Sequence, residues 1–215
     1  MKERIGKFVM EYIKENTLIL FLLLIVFVIG ISIGAFTVNS LNSTQKGELY
    51  NYINGFLESK NINISQVDLF KQIFINYFKF IIILWFLGMT VIGMPLIFGL
   101  IGFKAFTIGF TVGFMLDVFT DARGILIIMS SVIPQTLIVL PCIVILCVSG
   151  VRLSLFLLKG GNQKRFKGNE VKVKLISHTL MAILIIGVIA FGALLESFVL
   201  PMFLNIISSN FNNSV

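Results

Sequence analysis

Few side chains in this sequence are equipped for chemistry, and most of them sit where water is scarce. Lys79, Lys104, Gln135 and Glu196 lie in or beside long apolar runs, and polar or ionisable groups at membrane depth are functional candidates by default. Lys79, Lys104 and Glu196 fall near run ends, where a long stem carries its head to the lipid headgroups and no function is required. Asp117, Asp121 and Arg123 form a polar corner at a membrane edge. Intramembrane proteolysis needs a nucleophile with its base, or two aspartates inside the spans, and this corner supplies neither. The single histidine, His178, lacks the neighbours that a metal site or a Ser-His pair needs. Cys142 and Cys147 are five residues apart in one apolar run and point to different helix faces, so they read as two buried thiols and not a disulfide. No phosphate loop with its lysine-serine pair is present. The expectation is a protein with no cofactor, no metal and no catalytic set of its own.

The elements that carry these residues are set by hydropathy. The chain has 215 residues, 57% of them apolar and 13% charged, more apolar surface than a soluble domain of this size can hide. Its net charge of +7 requires no nucleic acid if the basic residues gather on one side of a membrane. The longest run, Phe80 to Leu116, holds 37 residues and one charge, Lys104. As one helix it would reach roughly 55 Å across a hydrocarbon core of about 30 Å. Two spans fit better, turning within Gly93–Gly102 around Pro95, with Lys104 then at headgroup depth on one face.

The pattern predicts an all-α, polytopic helical bundle forming one membrane domain over 1–215, with five spans near 17–38, 73–95, 98–118, 124–151 and 175–200. Residues 1–16 repeat apolar positions at helical spacing and form a cytoplasmic amphipathic helix. The run 18–38 acts as a retained signal anchor, and Gly30 with Gly34 gives it a face for close helix approach, as Gly109 and Gly113 do later. Residues 39–72 form a short extracytoplasmic cap whose helix is capped by Asn42 with Gln45. Pro134, Gln135 and Pro141 mark a kinked span, which bends to fit its neighbours or borders a substrate site. Residues 152–174 form a basic cytoplasmic loop. With the N-terminus inside and the C-terminus outside, 12 of the 17 basic residues are cytoplasmic, as the positive-inside rule asks.

A series of short motifs resembles one family. Asn39-Ser40-Leu41-Asn42, Gln45-Lys46, Tyr77-Phe78-Lys79, Trp85 through Gly93 to Pro95, Gly109–Phe114 and Ser131–Gln135 through Pro141 are similar, in order and spacing, to stage II sporulation protein M. The resemblance covers almost the whole chain. It implies a non-enzymatic bacterial membrane protein of endospore formers, acting in engulfment at the mother-cell septal membrane. As partners it implies the stage II sporulation proteins D and P, two peptidoglycan hydrolases held on the outer face. Beside these and the lipid bilayer, homo-oligomerisation stays open and nucleic acid is not expected.

On this reading Tyr50, Tyr52, Phe56 and Leu57 of the cap, with Asp117, Asp121 and Arg123, carry the partner contacts. The alternative class is a small transporter or channel, with a pathway near Pro134, Gln135 and the glycine-rich hairpin. It requires a polar cavity reaching mid-membrane, whereas a scaffold requires packed spans. The expected topology is checked by labelling intact cells with a membrane-impermeant thiol reagent. A cysteine introduced at Ser59 is modified and one at Asn162 is spared.

Overall fold

In the computed structural model, residues 14–58, 66–118, 122–161 and 168–212 are described. All their regular elements are helices: α1 (Thr17–Asn39), α2 (Ser43–Glu58), α3 (Gln66–Gly88), α4 (Gly93–Val118), α5 (Ala122–Gly161) and α6 (Gly168–Asn212). Helices close their backbone hydrogen bonds internally, as lipid demands. Five are long and apolar enough to cross a membrane, the apolar stretches of the two longest being Val139–Lys159 in α5 and Asn169–Phe198 in α6. The exception is the polar α2, whose start is closed by Gln45 Oε1 accepting the Asn42 backbone N–H at 3.1 Å.

The most extensive helix contact joins α1 to α4, and glycine makes it. Gly30 faces Gly102 and Ala105, Gly34 faces Phe106 and Phe110, Gly109 faces Ile31, and Gly113 faces Ala35. The numbers rise together on both helices, so the two run parallel. The paired small residues are a packing seam within the chain, letting backbones touch where lipid offers helices no hydrophobic reward for associating. Deeper in the bundle, α3, α4, α5 and α6 enclose a core that includes Ile81, Leu84, Ile97, Leu146, Val148 and Ile189. Cys142 and Cys147 are both free thiols.

The reversal between α3 and α4 differs from the sequence expectation. Residues 89–92 make the turn, and Gly93–Gly102 is already helix. Pro95 falls in the first turn of α4, where its missing N–H costs nothing. Gly93 closes the reversal, because a side chain there would strike the Leu87 carbonyl. Ser154 of α5 fastens this turn from across the bundle. Its hydroxyl donates to the Val91 carbonyl at 3.1 Å and accepts from the Met94 N–H at 3.0 Å. A substitution of Gly99 does not disturb the turn, since nothing lies within 4 Å of a Cβ placed there.

Other boundaries shift as well. The sequence expects a helical start after Ser65 that runs unbroken into the second span, and α3 does begin at Gln66, so the last residues of the segment expected as cap, 66–72, belong to the spanning helix. The expected basic loop 152–174 is largely helix, since α5 runs on to Gly161 and α6 begins at Gly168. Residues 1–13, the bulk of the expected amphipathic helix, lie outside the described residues.

Adding a methyl at Gly34 or Gly109 drives a Cβ into a facing backbone carbonyl. Gly34→Ala and Gly109→Ala are expected to destabilise the bundle by about 1–3 kcal/mol each, the usual cost of overpacking. Gly99→Ala is expected to be silent. Thermal unfolding of the three purified variants in detergent, with their membrane levels, checks the contrast.

Candidate functional site

The seam between α1 and α4 fixes the depth of Lys104. The uncharged stretch 18–38 of α1 covers about 30 Å, one hydrocarbon thickness. Gly30, which packs on Ala105, lies two residues past its middle. Lys104 is therefore near mid-membrane and not at headgroup depth. The expectation fails because the turn is several residues earlier, which moves Lys104 more than two helical turns into α4. A mid-depth ammonium costs roughly 2.5–3.5 kcal/mol on insertion scales. Here its Nζ lies 5.6 Å from the ring centroid of Tyr77 and 5.8 Å from that of Phe80, two cation–π contacts that each offset about 0.5–1 kcal/mol. Among the described residues no acidic side chain forms an ion pair with Lys104.

Beside Lys104 is a cleft of about 40 Å³, lined by Phe27, Tyr77, Thr136, Leu140 and Ile143 among others. It has room for a water or two, well below the several hundred Å³ of a small-molecule site. Apart from Lys104, Tyr77 and Thr136 its walls are apolar. The arrangement can hold a cation, and a water with it, at mid-depth; among the described residues it opens no continuous polar path.

Lys79 behaves differently. The sequence places it one turn inside the outer end of its span, but α3 begins at Gln66, which leaves Lys79 near the middle of the helix. Tyr77 and Phe80, its neighbours on α3, both reach Lys104, so Lys79 shares that depth. It is exposed, and with Gln72 and Asn76 it forms a polar stripe along one outward face. Glu196 is half-buried and sits well inside α6, which continues past it to Asn212.

At the far end of the seam, Lys46 of α2 forms an ion pair with Asp117 of α4 and ties the cap helix to the bundle. Tyr50 and Tyr52 of α2 are exposed, Tyr52 to 80%. Phe56, Leu57, Arg123, Pro134 and Gln135 are on helices, but their side chains, and the whole of Asp121, lie outside the described residues.

The structure gives His178 a setting that sequence spacing could not. It is 1% exposed, its Nδ1 is 2.9 Å from Ser149 Oγ, and its Nε2 side packs on Gly88. Nε2 has no hydrogen bond within ordinary limits. The partners come from α3 and α5, so a search along the chain finds a solitary residue. Next to it, Trp85 Nε1 donates to Thr179 Oγ1 at 3.2 Å, pinning α3 to α6. Among the described residues no cluster of metal-ligating side chains occurs.

Five apolar helices around one core define an all-α, multi-pass membrane protein. The family model for stage II sporulation protein M matches residues 23–201, from within α1 to within α6, and the chain belongs to that family. No curated protein and no solved structure matches the chain.

At 5.6 and 5.8 Å the two ring contacts lie near the outer limit of cation–π attraction, about 0.5–1 kcal/mol each, so removing the charge relieves a net cost of the order of 1 kcal/mol. Lys104→Met is expected to raise the melting temperature in detergent, and Lys104→Glu to lower it. A drop for Lys104→Met would show that the ammonium makes a stronger bond than the rings supply.

Proposed function

We propose that this chain is a non-enzymatic membrane scaffold for sporulation engulfment. It recruits peptidoglycan-degrading partners, the stage II sporulation proteins D and P, to the extracytoplasmic face of the mother-cell septal membrane. The observation that carries the reading is the cap: a short helix tied to the bundle by Lys46–Asp117, with Tyr50 and Tyr52 turned outward. Exposed aromatics on an outer helix are the side chains that most often dominate a protein interface when a partner covers them. The polar stripe Gln72–Asn76–Lys79 supports the same reading, because a charge facing lipid at mid-depth is costly and a partner's span would cover it. Membership in the family supports the sporulation setting. The N-in, C-out orientation belongs to this proposal and rests on the distribution of basic residues.

The transporter reading keeps one observation in its favour, the lysine at mid-depth beside a cleft. The size and apolar walls of that cleft favour packed spans instead.

The test replaces Tyr50 and Tyr52 together by alanine. Membrane level is expected to stay within twofold of the parent while recovery of the tagged hydrolases with the protein falls at least tenfold, about 1.4 kcal/mol. Normal level with normal recruitment sinks the cap as the contact surface.

A further inference from the structure

Between α5 and α6, at the end of the bundle that carries the α3–α4 turn, lies a cleft of about 240 Å³ that none of the foregoing uses. Arg152, Ser149, Lys174, Ser177, His178 and Met181 line it. We propose that it is a binding site for the phosphodiester headgroup of an anionic phospholipid.

Depth is the first support. Arg152 Nη1 comes within 3.6 Å of Glu15, which precedes α1, and Lys174 precedes the uncharged run of α6. Both cations are therefore at the membrane interface, where phosphate groups lie. Chemistry is the second. A guanidinium and an ammonium flank the Ser177 hydroxyl, donors of the kind that a phosphodiester accepts. The Arg152–Glu15 contact is long, and both side chains are about half exposed, so it holds the guanidinium weakly and an incoming anion can displace it. Lys174 Nζ is poised 3.5 Å from the Phe156 ring centroid, which keeps the ammonium at the mouth of the cleft without neutralising it. Buried His178 fixes Ser149 at the floor.

The third support separates a lipid from a free anion. Going deeper from the cleft, the helices expose Ile145 on α5 and Leu180 and Leu184 on α6. A headgroup in the cleft would lay its acyl chains along these side chains. Basic pockets between spans are a recognised form of headgroup recognition.

The experiment uses the full-length protein in uncharged detergent and follows its melting temperature during titration with phosphatidylglycerol, phosphatidylcholine or inorganic phosphate. Phosphatidylglycerol is expected to raise the melting temperature saturably, whereas phosphatidylcholine and millimolar phosphate leave it unchanged. In the double variant Arg152→Gln, Lys174→Gln the apparent affinity for phosphatidylglycerol is expected to fall at least tenfold. Lys159→Gln with Lys172→Gln, outside the cleft, is expected to change it less than twofold. Should the double variant not fold, Ser177→Phe fills the cleft from an exposed position and is expected to give the same loss. Equal affinity in the cleft variants, or an equal loss in the outside pair, overturns the site in favour of diffuse surface charge. Stabilisation by inorganic phosphate as strong as by phosphatidylglycerol overturns the lipid in favour of a free anion.

Discussion

The close approach of α1 and α4 is the constraint on which the rest of the bundle depends. In water two helices gain by hiding apolar surface, but in lipid their surroundings are as apolar as they are. What remains is dispersion between surfaces that fit, and it falls off steeply with any gap. Gly30, Gly34, Gly109 and Gly113 remove the side chains that would open such a gap. The seam sets the parallel register of the two helices, and that register decides which residues lie at mid-depth. It puts Lys104 against the rings of α3, and it brings Asp117 to the end where the cap is tied.

Polar groups in this bundle are therefore distributed by depth. At the interface they are many and loosely held: Arg152, Lys174 and the Lys46–Asp117 pair are all partly exposed. Others have specific arrangements: Ser154, fully buried beneath the α3–α4 turn, is bonded on both sides, and further in Thr179 receives the Trp85 indole and Lys104 rests over aromatic faces. Lys79 departs from this pattern, being central along its helix yet exposed. That departure leaves the lateral surface of α3 with a polar stripe, Gln72, Asn76 and Lys79, turned away from the bundle.

Much of this was legible in the residues. Run lengths and the spacing of charges give five spans and an all-α bundle, and the two Gly-x-x-x-Gly spacings mark the faces that meet. The turn was misplaced because glycine and proline signal a helix start as readily as a reversal, and Gly93-Met94-Pro95 is the former. The depth of Lys104 followed that error. Lys79 differs in depth for a related reason: the helix that starts after Ser65 is legible in the sequence, but counting membrane depth only from the first apolar residue sets Lys79 near an end when it lies at the helix centre. The basic cleft and the setting of His178 were invisible, because their residues come from different helices and acquire meaning only when those helices are side by side.

The fastening of the α3–α4 turn by Ser154 bears on how the protein is made. The serine is 60 residues later in the chain than Met94, whose N–H it accepts. A hairpin that reaches the bilayer before α5 has packed against it lacks this hydroxyl. The Val91 carbonyl and Met94 N–H must then depend on interfacial water, which holds the reversal at the membrane surface. Arrival of α5 exchanges that water for one hydroxyl and draws the turn into the protein. Biogenesis thus has an order written into it, with the hairpin provisional until its later neighbour locks it.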